Sequence, residues 1–289
     1  MRNENAASRI FDVFNIVFLC FLSMTFLYPV FYVISTSLSS PTAIITGRVY
    51  FYPVGLTTSA YRHIFRDTSI ISAFVFTVEL TVLGTIASLI VTALAAYPLT
   101  RKQMKGSGII MRLIVFTMYF SGGIIPTYMV VRGLGLFNSV WSLILPNAID
   151  TFLLIIMISF FRNLPYELEE SAKVDGCSNF GIFLKIFIPL STAIIATLTV
   201  FLSVAYWNTF FNALLYIQDP KRLTLQVKLY QVLNMFSDSL SESAGVSMDV
   251  IPENVKGATI VIAVLPIMVI YPFMQKYFIK GVAIGAIKG

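Results

Sequence analysis

The sequence predicts an all-α polytopic membrane protein with six transmembrane helices. Two observations predict it. Of 289 residues, 57% are hydrophobic and 12% are charged, whereas a soluble globular domain carries about 25% charged residues. The apolar residues are also gathered into runs of the length a bilayer needs, about 20 residues each. Between two of these runs lies a polar island, Glu169-Glu170-Ser171-Ala172-Lys173-Val174-Asp175-Gly176. Charge of that density is expensive in lipid, so the island must sit in water between two spans.

A short N-terminal segment, residues 1–10, carries Arg2 and Arg9 and is expected in the cytoplasm. The first span covers residues 11–37. Its apolar run is too long for a cleavable signal peptide, and no small-residue cleavage site directly follows. Residues 38–69 contain Pro41, Gly47, Pro53 and Gly55 and read as an external loop, with a short helix near residues 59–65. The second span is residues 70–99. The loop Arg101-Lys102-Gln103-Met104-Lys105-Gly106, with Arg112 just beyond, has four positive charges and no acid, a strong cytoplasmic signal.

Spans three and four, residues 109–131 and 140–161, are joined by a short Gly-rich external turn over 132–138. The fifth span starts at Pro189 and runs to about residue 217. Residues 218–256 are polar and external, residues 257–278 form the last span, and residues 275–289 form a C-terminal tail that ends inside. About a dozen of the 20 Lys and Arg fall in the short cytoplasmic parts. The net charge of +6 is thus a topological signal. No basic run with interleaved aromatics points to nucleic acid. Cys20 and Cys177 fall in different compartments, so no disulfide is expected.

The island, residues 162–189, has internal order. Leu164-Pro165 is a helix start, with Asn163 available to cap it. Glu167, Glu169 and Glu170 favour the positive end of the helix dipole, and Asp175-Gly176 stops the helix. Ser178 can cap a second helix that carries Phe180, Phe183, Ile186 and Phe187 toward Pro189. The result is a helix–turn–helix on the cytoplasmic face. An amphipathic connector resting on headgroups would favour Lys and Arg over these carboxylates.

The pattern Glu170-Ser171-Ala172-x-x-Asp175-Gly176, followed after nine residues by Ile186-x-Ile188-Pro189, resembles the EAA motif of ABC-importer permeases. Ser stands where that motif has its first Ala, and Ile where it has Leu. The resemblance covers residues 72–274 as the permease core and implies a type I ABC-importer permease fold. It implies that Glu169, Glu170, Ala172, Asp175, Gly176, Ile186 and Pro189 form a coupling element that docks on an ATPase subunit. The C-terminal run is similar to that of maltose-type permeases, which implies a contact of Gly285, Lys288 and Gly289 between ATPase subunits. Without the resemblance, a Gly-rich terminus reads as frayed.

Tyr206-Trp207-Asn208-Thr209-Phe210-Phe211-Asn212 places amides and a hydroxyl inside the fifth span. They must face a cavity or a partner helix. Two readings stand at this point, a sugar site and an outer aromatic belt with interhelical amide pairs. The stretch resembles the Trp-Asn-x-Phe-x-x-Ala-Leu segment of sugar permeases, so Tyr206, Trp207, Asn208 and Asn212 are candidates for the path. Glu79, a carboxylate within the second span, joins them; alone it would suggest ion coupling. Asp150 falls toward the outer half of the fourth span, and His63 is external with nothing nearby to form a metal site. No phosphate-binding loop, metal cluster or nucleophilic constellation is present, so this chain is expected to be a non-catalytic subunit.

The resemblance implies an oligosaccharide permease of a bacterial plasma membrane, with both termini cytoplasmic. Phe120-Ser121-Gly122-Gly123 and Arg132-Gly133-Leu134-Gly135 resemble the branch that handles polysaccharide-derived oligosaccharides. The implied partners are a second permease, two ATPase subunits that hold ATP and magnesium, an external solute-binding protein, a sugar and the lipid bilayer. The competing readings are an ABC permease for another solute and a stand-alone ion-coupled transporter.

Overall fold

The computed structural model describes residues 6–101, 104–239 and 251–286. Every regular element among them is helical. The helices are α1 (Ala6–Ser37), α2 (Pro41–Ile45), α3 (Ser59–Arg66), α4 (Thr68–Leu99), α5 (Ser107–Tyr119) and α6 (Ile124–Gly133). Then come α7 (Trp141–Asn147), α8 (Thr151–Arg162), α9 (Glu167–Val174), α10 (Asn179–Leu190) and α11 (Thr192–Trp207). The chain continues through α12 (Phe211–Tyr216), α13 (Leu225–Ser239) and α14 (Pro252–Ala286).

Three unbroken helical stretches are long and apolar enough to cross a membrane: Phe11–Ser37, Thr68–Leu99 and Pro252–Pro272. The other three expected spans are broken. α5 and α6 meet at 116°, α7 and α8 at 55°, and α10 and α11 at 79°. Each break has a local cause. Gly123 sits at φ +83 and ψ 177, a conformation open only to glycine, so the expected helix over 109–131 cannot pass it. Pro146 lies in the tightened last turn of α7, and Asp150 then caps α8 by accepting from Leu153 N at 2.9 Å. Pro189 lies in the last turn of α10 and Ser191 separates α10 from α11, so the fifth span begins after a bend and not at Pro189. That span also ends earlier than expected, at Trp207, with α12 starting afresh at Phe211. The last helix runs on through residues expected as a tail, to Ala286. α2 and α13 both lie in segments expected to be loop.

The chain forms two compact units. One holds the chain up to Ile70 together with Leu229–Leu265. In it, α1 is exposed over its apolar length, and a buried Ser/Thr cluster holds its end. Ser37 Oγ donates to Ile34 O at 2.7 Å and shares a 2.8 Å hydrogen bond with the Tyr61 hydroxyl. Ser39 Oγ accepts from Val54 N at 3.0 Å. Gly257 of α14 lets this end approach closely: a Cβ there would stand 3.1 Å from Val33 O and 3.2 Å from Ser37 N.

The second unit holds Ile71–Lys228 and the chain from Pro266 on. Its core packs α4, α8, α10 and α11 through Leu80, Leu154, Met157, Ile182 and Leu198. Two polar ties cross it. Thr77 Oγ accepts from Leu225 N at 2.8 Å. Asn138, at φ 57, accepts on its side chain from Gln218 N and Asp219 N at 2.5 and 3.1 Å, which fastens the α6–α7 loop to the exit of α12.

Tyr206 of α11 lays its ring face over the notch left by Gly84 of α4, and its hydroxyl meets Ser88 Oγ at 2.7 Å. A Cβ at Gly84 would stand 2.7 Å from the ring. Gly84→Val therefore displaces the ring and leaves Ser88 unpaired, a loss of about 1–3 kcal/mol. Thermal unfolding of the purified protein should show a lower midpoint. An unchanged midpoint would mean that α4 and α11 do not depend on this notch.

Candidate functional site

Two features concentrate polar chemistry in this chain: the helix α9 and a cavity between two broken spans. α9 begins just after Pro165, with Glu167, Glu169 and Glu170 in its first turn. There they meet the unpaired N–H groups and the positive end of the dipole. Asn163 does not cap this helix. It closes α8 instead, its Nδ2 donating to Ser159 O at 3.0 Å. Gly176 at φ +78 ends α9, with Gly176 N donating to Lys173 O at 3.0 Å and Cys177 N to Ala172 O at 2.9 Å. Ser178 Oγ then accepts from Gly181 N at 3.1 Å and starts α10. The expected helix–turn–helix is present.

The two faces of α9 differ sharply. Glu169, 2% exposed, and Ala172 point inward. The Glu169 carboxylate pairs with the Arg101 guanidinium at the end of α4. Its Oε1 also accepts from Lys173 Nζ at 2.7 Å. Arg101 packs against two rings, its Cζ 4.1 Å from the centroid of Tyr97 and 4.5 Å from that of Phe187. Burial pulls the Arg101 pKa below its ordinary value, yet a guanidinium stays charged throughout the range in which proteins are folded.

On the outer face Glu170, Ser171, Asp175 and Gly176 are exposed, and Val174 is 87% exposed. Of the other expected coupling residues, Pro189 is exposed and Ile186 half-buried. Gly285 falls in the last helical residues of α14, and Lys288 and Gly289 lie outside the described residues. Sequence reasoning missed Arg101 as part of this element, having read it only as a topological charge. It also passed over Val174, whose lone apolar side chain among exposed polar neighbours was a usable signal.

The second feature lies where the α7–α8 break faces the α11–α12 break. A cavity of about 530 Å³ opens between them. Asn147, Asp150, Thr209 and Asn212 supply its polar groups, and Phe152, Phe210 and Phe211 supply aromatic surface. Backbone that leaves helical geometry at membrane depth is tolerated where it lines such a cavity. Amides, a carboxylate and a hydroxyl beside ring faces suit a polyhydroxylated ligand.

The five path candidates are divided among different surroundings. Asn212 and Tyr206 border this cavity, although Tyr206 is buried and its hydroxyl is engaged by Ser88. Asn208 does not line it: Nδ2 donates to Val204 O at 2.9 Å and Oδ1 accepts from Gln226 Nε2 at 3.4 Å. Trp207 is buried edge-on against Phe74, with centroids 5.8 Å apart, and borders a separate apolar cleft with Pro266 and Tyr271. Glu79 borders a third cavity, of about 520 Å³, with Trp141, Lys221 and Arg222. Asn147 went unnoticed within an apolar run, whereas Thr209 belongs to the polar stretch 206–212 that the sequence does mark. The run Pro146-Asn147-Ala148-Ile149-Asp150 could have marked the break.

The family model described as "Binding-protein-dependent transport system inner membrane component" matches residues 109–284. Protein LplC of Bacillus subtilis (strain 168) is 43% identical over 289 residues, 99% of this chain and 98% of that protein. The polygalacturonan/rhamnogalacturonan transport system permease protein YtcP of the same organism is 40% identical over 284 residues, 98% of this chain and 99% of its own. Among solved structures, a chain of a bacterial ABC transporter involved in the import of the acidic polysaccharide alginate superposes with a TM-score of 0.88 at 31% identity. The match covers 96% of this chain and 100% of that one.

The turn after α9 generates a separable test. A Cβ at Gly176 would meet nothing within 4 Å, so only backbone strain opposes a side chain there. Gly176→Ala should cost about 1–2 kcal/mol, and Gly176→Asn less, because Asn tolerates the left-handed region. Amide hydrogen exchange in the last turn of α9 should speed up by about tenfold in the Ala variant. Equal exchange in both variants would show that this turn is not held by its glycine.

Proposed function

This chain belongs to the binding-protein-dependent transport system inner membrane component family, and on that premise we propose that it is one permease subunit of an ATP-driven carbohydrate importer. The observation that carries the proposal is α9. It is a short helix held rigidly on its inner face while its outer face presents Glu170, Ser171 and Val174 to solvent. An exposed apolar side chain ringed by carboxylates suits insertion into a groove on an ATPase subunit. ATP and magnesium are held by two such subunits, and a second permease completes the path. Loops bearing Lys and Arg face the cytoplasm, and with them both termini.

Carbohydrate is favoured as cargo by the relatives and by the cavity. YtcP and the alginate transporter are both associated with polysaccharides by name. The cavity between the broken spans offers Asn147, Asp150, Thr209 and Asn212 beside aromatic rings. In this reading a solute-binding protein delivers an oligosaccharide to the outer side. Closure of the ATPases, felt through α9, alternates access to the cavity. Gly285, Lys288 and Gly289 add a contact between the ATPase subunits. In this reading the energy source lies on the partner ATPases, so Glu79 need not couple an ion. Its setting beside Lys221 and Arg222 fits a cavity-lining role.

Co-purification with the ATPase and uptake of labelled oligosaccharide test the two halves separately. Glu170→Lys should abolish retention of the ATPase while the variant still folds. Asp150→Ala and Asn212→Ala should retain the ATPase but lower uptake by about fivefold each, the worth of one hydrogen bond of about 1 kcal/mol. Full ATPase retention and uptake in Glu170→Lys would sink the docking assignment. Full uptake in both cavity variants would sink the path.

A further inference from the structure

We propose that Arg101 and Glu169 form a strut that makes α9 and the end of α4 move as one body, so that Glu169 is a positioning residue and not part of the docking surface. The inference rests on the reading of α9 as the coupling helix and assigns a specific route by which its displacement reaches a span.

α9 has eight residues and touches the rest of the chain through a narrow inner face. A helix that short, pushed by a partner, would pivot unless something transmits the load. Glu169 supplies the connection. Its carboxylate lies on the guanidinium of Arg101, two residues beyond the end of α4, and is also braced by Lys173 from the same helix. With Lys173 at i+4, the carboxylate is held from two sides and cannot rotate away from Arg101 without losing both partners.

Arg101 is in turn fixed by rings from two elements. Tyr97, one turn earlier on α4, and Phe187 of α10 meet each other edge-to-face, with centroids 5.0 Å apart at 77°, and the guanidinium packs against both rings. Phe187 also packs edge-on against Phe161 of α8, centroids 5.5 Å apart. α10 widens into a π-helical segment over Phe183–Phe187. Such widened turns occur mostly where function requires a side chain to be re-aimed. Both Phe183 and Phe187 bear on Tyr97 from this segment. The end of α4, Glu169 of α9 and the wide turn of α10 therefore meet at one guanidinium, with Phe161 of α8 backing Phe187.

The chemistry explains the residue types. A lysine at this position would keep the charge but lose the planar group packed against Tyr97 and Phe187. A glutamine at Glu169 would keep the shape but leave Arg101 buried without its anion. A docking residue needs exposure, and Glu169 has almost none, while its neighbour Glu170 is exposed. Adjacent carboxylates on one helix turn thus take opposite tasks, one toward the partner and one toward the chain's own span.

The test uses the complete transporter in proteoliposomes, with ATP hydrolysis and oligosaccharide uptake measured together. Glu169→Gln and Arg101→Lys should both keep the ATPase bound, yet transport per ATP hydrolysed should fall by about fivefold or more in each. A ratio within about twofold of the unaltered transporter in either variant would overturn the strut. If Glu169→Gln fails to assemble, the unaltered side chains still decide the matter. Spin labels at Val91 and Glu167, with Cys20 and Cys177 replaced by Ser, report the distance between α4 and α9. The same narrow distance in the nucleotide-free and ATP-trapped states supports the strut, and a shift between states overturns it. Failure of the unaltered chain to retain any ATPase would instead count against the coupling reading on which this one rests.

Discussion

Lipid offers no hydrogen bonds, and the structure is organised around that fact. A backbone in the bilayer must satisfy its own N–H and C=O groups, so each crossing is helical and each interruption has to be sheltered. α1, α4 and the first part of α14 meet the demand as unbroken apolar helices. Pro29, Pro98, Pro266 and Pro272 lie inside these helices without ending them. The three remaining spans break, and the α7–α8 and α11–α12 interruptions flank the polar cavity. Asp150 at the start of α8 shows how the cost is met: its carboxylate takes the Leu153 N–H that the break would leave unpaired.

Hydropathy made the spans legible, and local capping chemistry made the island legible. Gly176, Ser178 and the acidic first turn of α9 are in their expected roles because each acts within three residues of itself. The breaks were harder to read. Gly122 and Gly123 count as apolar-compatible in any hydropathy window, yet Gly123 adopts a backbone conformation that ends a helix. Asn163 precedes a helix start and was read as its cap, but it follows α8 more closely and bonds back to Ser159. A residue between two helices can serve either, and the spacing to Pro165 does not decide between them.

Long-range pairing lay beyond reach of the sequence for a different reason. Arg101 and Glu169 are separated by two spans, and each has an adequate local explanation, a topological charge and a helix-dipole acid. Nothing in either neighbourhood demands the other. The same holds for Gly84 and Tyr206: the glycine reads as a weak point in a helix, whereas its function is to admit a ring from α11. Tyr206 accordingly straddles two explanations, since its ring edges the cavity while its hydroxyl is spent on Ser88. Residues that bind across helices are legible only as anomalies, such as a tyrosine hydroxyl or a threonine in an apolar run, until the helices are placed together.

The distribution of polar groups between α9 and the cavity follows from what each must do. The cavity collects neutral amides with a single carboxylate and no basic side chain along its wall. Such a wall can hydrogen-bond a passing polyhydroxylated chain without holding it by charge, which suits a step where the ligand must also leave. α9 works the other way. Its inner face commits a carboxylate to a buried guanidinium, an interaction whose loss would strand a charge and which therefore resists yielding. A soft wall at the proposed path and a stiff joint at the proposed docking helix are complementary requirements: motion imposed at α9 reaches the broken spans only if the joint is stiffer than the breaks it acts upon. Gly122-Gly123 and the Asn208–Phe210 interruption supply backbone that bends more readily than the four-element cluster around Arg101.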